Sequence, residues 1–172
     1  VGFSAYTIAL YHSYALTAAD FGSYVHMFAT TLSGEGFLLQ GKYRASHPSG
    51  VYWGAHFSLT LLAFLPVYAL VPRPETLLVA KSFVLAASVI ALWLVVREHV
   101  DSDRLAKLLV VSYGLNPFLW SAWAFDFQEQ VLLPLFVFLA YYWYRRERPV
   151  AFLVALALAL LTNEFVVVIV AG

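Results

Sequence analysis

Residues 76–96 form an apolar stretch that contains a single charged side chain, Lys81. A helix needs roughly 20 residues to cross the hydrocarbon core of a bilayer, which is about 30 Å thick. This stretch is long enough and apolar enough to do so. The sequence therefore predicts a membrane-spanning helix here.

The composition agrees with a membrane protein. Hydrophobic residues make up 62% of the 172 residues and charged residues 12%, whereas about a quarter of the residues in a soluble domain are charged. Soluble and disordered chains are therefore excluded. Ten basic residues balance ten acidic ones, so we expect the lipid bilayer as a partner and no nucleic acid. The chain starts at Val1 and stops inside an apolar run at Gly172, so we interpret it as part of a longer protein.

Three further apolar segments have the length of spans, residues 3–19, 105–125 and 149–172, and residues 131–144 reach that length if their helix starts near Phe127. Another segment, 56–72, has only 17 residues and contains Pro66, and we predict that it lies in the interface or re-enters without crossing. The predicted fold is all-α, a polytopic integral membrane helical bundle of about five spans. We treat residues 1–172 as a single transmembrane module with a long external loop at 20–75 that carries juxtamembrane helices.

The cations orient this bundle, because Lys and Arg in short loops favour the cytoplasmic side. If residues 56–72 do not cross, six cations lie inside (Arg97, Arg104, Lys107, Arg145, Arg146 and Arg148) and three lie outside (Lys42, Arg44 and Arg73). If the segment crosses, the same orientation places both Arg clusters outside. The non-crossing arrangement also puts the acids on the external face. We therefore predict a multi-pass cell-membrane protein with an extracytoplasmic active face.

The external loop begins with a helical pattern. Apolar side chains recur at helical spacing at Phe21, Tyr24, Val25, Phe28 and Leu32, which predicts an amphipathic helix. Gly34 and Gly36 are expected to end it. Residues 41–54 are predicted to be an irregular polar loop, in which Tyr43, Tyr52 and Trp53 suit the headgroup level.

Three acids are the candidate catalytic residues. Asp20 stands where the first span gives way to the amphipathic helix, so it is either a helix N-cap or a general base at the membrane surface. Asp126 and Glu129 lie between two spans, where they are i, i+3 neighbours on one face if the turn is helical. The alternative for this pair is a solvated loop between helices.

Glu164 and a group of cations are the candidate substrate-binding residues. Counting from Pro149 places Glu164 about 22 Å along a helix, in or near the hydrocarbon, where an ionisable group is a functional candidate. The alternative is that the helix ends near Thr162 and Glu164 meets headgroups and water. The group that could hold a phosphate, or be ordinary loop side chains, is Lys42, Arg44, His47 and His56. The histidines and acids follow no zinc template.

The order of these features resembles the N-terminal part of the GT-C glycosyltransferases. More closely, it resembles a prokaryotic family of uncharacterised predicted membrane proteins placed beside them. The matching motifs are Asp20-Phe21-Gly22, His56-Phe57-Ser58, Phe125-Asp126-Phe127 and Leu161-Thr162-Asn163-Glu164. The resemblance covers nearly the whole chain, and the ordered set of motifs is more specific than any one of them.

The resemblance implies an integral membrane transferase that uses a polyprenyl-phosphate-linked sugar at the external face. In that case Asp20 accepts the proton of the acceptor hydroxyl. Asp126 and Glu129 orient the sugar or the acceptor, directly or through a divalent cation. The phosphate would be neutralised by Lys42, Arg44, His47 or His56. The alternative is a transporter or lipid-binding membrane protein with functional buried carboxylates, and a third possibility is a structural subunit.

Overall fold

The computed structural model describes residues 2–16, 20–40 and 48–171. Over these ranges the chain forms helices and turns, apart from one isolated β-bridge between Leu39 and Val51. The prediction of an all-α fold is therefore confirmed. The α-helices are α1 (Gly2–His12), α2 (Phe21–Ser33), α3 (Phe64–Leu70), α4 (Pro74–Arg97), α5 (Asp103–Gly114), α6 (Pro117–Ala124), α7 (Leu133–Arg145), α8 (Pro149–Leu160) and α9 (Glu164–Ala171).

α4 coincides with the predicted span at 76–96. It has 24 residues, about 36 Å at 1.5 Å per residue. Pro74 sits at its first position, where a missing N–H costs nothing. Among the described residues it is the one helix that is long and apolar enough to cross a membrane by itself.

Three of the other four predicted spans are not continuous helices, the exception being the segment that forms α7. The first ends at His12, well before residue 19, and residues 17–19 lie outside the described part of the chain. The segment 105–125 is divided between α5 and α6, because Asn116 caps a new helix whose first residue is Pro117. The segment 149–172 is likewise divided between α8 and α9. The prediction of one long helix in each of these two segments is wrong, because a capping residue, Asn116 or Asn163, starts a new helix within each.

The segment between two spans at residues 125–128 is not helical either. Gln128 has extended backbone angles, and a 3₁₀ turn at Glu129–Leu132 leads into α7. The predicted helical start near Phe127 is therefore wrong. Asp126 and Glu129 are not i, i+3 neighbours on one helix face, because the backbone between them is extended.

α2 confirms the predicted amphipathic helix. Phe21, Tyr24 and Phe28 are buried on the face that packs against the rest of the protein. Gly34 ends the helix in the left-handed region, with φ of 76°, and its N–H donates to the Thr30 carbonyl. The predicted stripe stops short of the helix end, because the side chain of Leu32 is exposed.

The segment 56–72 contains a short helical stretch, a 3₁₀ turn at Thr60–Ala63 that continues into α3. The apolar helical run Thr60–Leu70 is about 16 Å long at 1.5 Å per residue. Phe64 and Tyr68 pack into the same core as α2 and α4. The run is about half as long as a bilayer core is thick, and the non-crossing arrangement of residues 56–72 stays a prediction.

The two ends of the bundle differ in charge. The C-terminal ends of α4 and α7 lie side by side, because Arg146 pairs with Glu98 at 2.6 Å. Near the same end, Asp103 pairs with both Arg97 and Lys107. Predicted inner cations therefore gather where α4 and α7 end. The acids of the candidate site lie toward the other end, where α4 begins.

Candidate functional site

Two of the sequence motifs are joined directly. The His56 ring nitrogen Nδ1 lies 2.8 Å from Glu164 Oε1, and the backbone N–H of Phe57 donates to Glu164 Oε2 at 3.0 Å. The backbone N–H of Leu59 donates to the Leu161 carbonyl at 3.0 Å. The turn between α8 and α9 is therefore bonded, through side chain and backbone, to the segment that starts with His56.

Glu129 is fully buried and accepts hydrogen bonds from three side chains. Tyr24 Oη donates to Glu129 Oε2 at 2.5 Å, and Tyr52 Oη donates to Oε1 at 3.1 Å. Asn163 Nδ2 donates to Oε1 at 3.2 Å. The interpretation of this acid as part of a solvated loop is therefore wrong. A carboxylate at 0% exposure requires such donors, because burying a charge without them is costly.

The two tyrosines keep their protons in this arrangement. Burial raises the pKa of the Tyr24 phenol, and the negative charge of Glu129 raises it further. The pKa of Tyr52 is raised by the same two causes. Both phenols are therefore neutral hydrogen-bond donors to the carboxylate at ordinary pH.

Asn163 connects the Glu129 group to the turn between α8 and α9. While its Nδ2 donates to Glu129, its Oδ1 accepts from the backbone N–H of Phe165 at 3.0 Å. It thus caps α9, which begins at Glu164. Asn163 and Glu164 are consecutive residues that hold two different candidate site residues, Glu129 and His56.

A polar cavity of about 120 Å³ lies next to the three side chains that donate to Glu129. Residues from five parts of the chain line it, including Asp20, Tyr24, Gln40, Tyr52, His56 and Asn163. Gln40 and Tyr52 are brought together by antiparallel backbone bonds, Gln40 N–H to the Gly50 carbonyl and Tyr52 N–H to the Leu38 carbonyl. All four sequence motifs contribute to the cavity or to the residues that support it.

A second, mostly apolar cavity of about 370 Å³ adjoins the first. Its walls include Leu85, Leu119, Val131 and Pro134. Gln128 and Gln130 line both cavities. The polar cavity and the apolar cavity are thus neighbours that share one wall.

Asp126 lines the apolar cavity and is almost completely buried. The negative charge of Asp126 attracts the ammonium of Lys81, which is fully buried in α4. Lys81 Nζ donates to the carbonyls of Trp123 at 2.8 Å and Phe125 at 2.5 Å, where α6 ends. A cation at a helix C-terminus is favourable, because the last carbonyls carry partial negative charge.

The structure distributes the predicted catalytic acids over different environments. Asp20 lines the polar cavity, and its side chain accepts no capping hydrogen bond from the described first turn of α2. Glu129 lies behind the cavity wall, and Asp126 belongs to the apolar cavity. The catalytic roles of Asp20, Asp126 and Glu129 stay predictions.

The predicted substrate-binding residues also separate. His56 lines the polar cavity and is paired with Glu164. Glu164 lies in the first turn of α9 with 38% of its side chain exposed, so the continuous helix expected around it is wrong. Lys42, Arg44, His47 and Tyr43 lie outside the described residues. The described ranges contain no group of three or more His, Cys, Asp or Glu side chains that could hold a metal ion.

Four residues of the site were not singled out as functional from the sequence: Tyr24, Gln40, Tyr52 and Lys81. Tyr24 belongs to the apolar stripe of α2, so its spacing predicts packing only. Tyr52 was expected at the headgroup level, but it is 3% exposed and bonded to Glu129. The sequence does offer a signal for Lys81, because a lone charged residue in an apolar span is a candidate for a functional role.

The fold and the site define an all-α membrane protein with a polar cavity at one end of its helices. The chain belongs to the family described as "Predicted membrane protein (DUF2079)", whose family model matches residues 11–172. A search of the curated proteins found no match, and neither did a search of the solved structures.

Proposed function

We propose that this chain is the membrane module of a GT-C-like glycosyltransferase that transfers a sugar from a polyprenyl-phosphate-linked donor to an acceptor at the extracytoplasmic face. One observation carries the proposal. Three of the four motifs that resemble those transferases line one polar cavity, through Asp20, His56 and Asn163, and the fourth lines the adjoining apolar cavity through Phe125 and Asp126.

The pair of cavities suits an amphiphilic substrate. A lipid-linked sugar has an apolar chain and a polar head joined by a phosphate. The apolar cavity, lined by Leu85, Leu119 and Val131, can take the first isoprenoid units. The polar cavity can take the head, because apolar contact and hydrogen bonding are then satisfied in adjoining spaces.

The helices that are too short to cross alone complete the proposed topology in pairs. α5 with α6, and α8 with α9, each extend over more than 20 residues in series, which is about the length of a span. Together with α1, α4 and α7 they give about five crossings. The cations at the ends of α4 and α7 orient that end to the cytoplasm.

The reaction proposed for this site is a single displacement. Asp20 accepts the proton of the acceptor hydroxyl while the acceptor oxygen bonds to the anomeric carbon of the sugar. The bond between that carbon and the phosphate oxygen breaks, and polyprenyl phosphate leaves with the electron pair. His56, held by Glu164, is the residue of the described cavity wall that we assign to the departing phosphate.

The second candidate is a transporter or lipid-binding protein. It is favoured by two buried charged side chains, Glu129 and Lys81, because such groups in membrane proteins often couple ions to substrates.

The experiment is a donor comparison with the full-length protein in membrane vesicles. Labelled mannose, glucose or galactose is supplied on polyprenyl phosphate or on a nucleotide, and label in acceptor products is counted. We expect transfer from at least one lipid-linked donor and none directly from a nucleotide sugar. Equal label with and without the protein for every lipid-linked donor would reject the transferase and leave the second candidate.

A further inference from the structure

The tyrosines of the polar cavity have no proton to offer a ligand. A phenol has one O–H donor, and the protons of Tyr24 and Tyr52 are directed to Glu129 Oε2 and Oε1. Their oxygens, 3.1 Å apart, retain lone pairs. Both side chains line the cavity, so this part of its wall accepts hydrogen bonds.

Gln40 adds an acceptor that has no partner among the described residues. Its Nε2 donates to Met27 Sδ at 3.8 Å, whereas its Oε1 is buried without a hydrogen bond. The side chain is 5% exposed and lines the same cavity. Buried polar atoms are nearly always paired, so an unpaired carbonyl oxygen here indicates a ligand that donates a hydrogen bond.

We propose that the polar cavity binds the sugar of the lipid-linked donor, with Tyr24, Tyr52 and Gln40 accepting hydrogen bonds from its hydroxyl groups. The inference rests on the proposed function and names the part of the donor that enters. A phosphate does not fit this wall, because phosphate oxygens are themselves acceptors. A sugar hydroxyl fits, because it brings the missing proton.

The neighbouring cavity indicates whether this sugar belongs to the donor or to the acceptor. Gln128 and Gln130 line both cavities, so a head group in the polar cavity lies next to a chain in the apolar one. The sugar of a lipid-linked donor is joined to such a chain through its phosphate, whereas a soluble acceptor carries no chain. The occupant is therefore the sugar that is transferred.

Glu129 is a positioning residue in this arrangement. It lies behind Tyr24 and Tyr52 and fixes the direction of their protons, so that it acts on the sugar through them. Glu129→Gln replaces one acceptor oxygen with an NH₂ donor. One phenol then loses the partner for its proton and turns that proton toward the cavity, which changes an acceptor into a donor.

The test measures binding of two lipids to the purified full-length protein in lipid nanodiscs. The probes are bare polyprenyl phosphate and polyprenyl phosphate that carries mannose, glucose or galactose. We expect wild type to bind at least one sugar-bearing lipid more tightly than the bare lipid. Tyr24→Phe and Tyr52→Phe should each weaken binding of that sugar-bearing lipid about three- to tenfold and leave binding of the bare lipid unchanged. Glu129→Gln should have the same effect.

Two further variants separate binding from folding. Tyr68→Phe is the matched control, because Tyr68 is a buried tyrosine of the same core that does not line the cavity, and it should bind both lipids as wild type does. Gln40→Leu removes the unpaired oxygen. It should unfold at the same or a higher temperature than wild type and still bind the sugar-bearing lipid several-fold more weakly.

The outcomes distinguish this inference from the proposed function. If wild type prefers a sugar-bearing lipid and the variants at Tyr24, Tyr52 and Gln40 keep that preference, the inference is overturned and the function stands. If wild type binds bare and sugar-bearing lipids equally, the sugar does not occupy the cavity. If it binds neither, both proposals fail.

Discussion

Glu164 Oε1 lies 2.8 Å from Nδ1 of His56, a residue 108 positions earlier in the chain. The other carboxylate oxygen accepts from the Phe57 backbone N–H. One side chain at the start of α9 therefore fixes both the ring and the backbone at the first residues of the His56-Phe57-Ser58 motif.

This contact can be measured by a double-mutant cycle. His56→Ala, Glu164→Ala and the double variant are compared with wild type by the free energy of unfolding in detergent. We expect a coupling energy of about 1 kcal/mol, because both side chains are partly exposed and solvent screens their charges. His56→Ala combined with Glu147→Ala is the control and should be additive. Additivity of the first pair as well would mean that the contact does not form.

Lys81 is predicted to stabilise the end of α6. Lys81→Met keeps the length of the side chain but leaves the buried carbonyls of Trp123 and Phe125 without their donor. We expect a loss of about 2 to 4 kcal/mol in the free energy of unfolding. Lys107→Met, at an exposed ion pair on α5, should change it by less than about 1 kcal/mol. Similar values for the two variants would contradict the assigned role.

The stability should also fall at alkaline pH because of Tyr24 and Tyr52. Their pKa is raised in the folded protein above the ordinary value of 10.0, so unfolding releases protons above that pH. The contribution of these phenols to the free energy of unfolding is complete below pH 10.0. It is lost as the pH rises further, by up to about 1.4 kcal/mol per pH unit for each tyrosine.

Unfolding measured from pH 9 to pH 11 tests this expectation. A variant with both Tyr24→Phe and Tyr52→Phe should lose less stability over that interval than wild type. Tyr144→Phe, at an exposed tyrosine, should follow the wild-type curve. The same slope for the double variant and wild type would remove these phenols from the pH dependence.

The proposed topology can be tested directly, because the chain has no cysteine. Single cysteines at the exposed positions Glu35, Pro72, Asp101 and Glu147 are treated with an impermeant thiol reagent in intact cells. We expect Glu35→Cys and Pro72→Cys to be labelled, and Asp101→Cys and Glu147→Cys to react only after permeabilisation. If Glu35→Cys and Pro72→Cys behave oppositely, residues 56–72 cross the membrane.

The sequence predicts features that are local. The apolar run around Lys81 predicts α4, and the spacing of Phe21, Tyr24 and Phe28 with Gly34 predicts α2 and its end, because each signal lies within the element itself. The break at Asn116-Pro117 also had a local signal, since this dipeptide favours turns. The length of the surrounding apolar segment outweighed it in the prediction.

The core of the site could not be predicted in this way. Tyr24 and Glu129 are separated by 105 residues and Tyr52 and Glu129 by 77, and no spacing within one element relates residues so far apart. The motifs containing His56, Asp126 and Glu164 did identify segments that come together. Their partners depend on packing between segments, so the structure was needed to find them.

The proposed reaction requires Asp20 to take the acceptor proton in the polar cavity, and Asp20→Asn removes that ability. The measurement is transfer of labelled sugar from a polyprenyl-phosphate donor in membranes that hold equal amounts of full-length wild type, Asp20→Asn and the exposed control Asp101→Asn. The Asp20 side chain makes no capping hydrogen bond to the described first turn of α2, so Asp20→Asn removes no cap, but the Asn amide accepts no proton near neutral pH. We predict a fall of roughly 10² to 10⁴ for Asp20→Asn and none for Asp101→Asn. Wild-type transfer by folded Asp20→Asn would contradict the account.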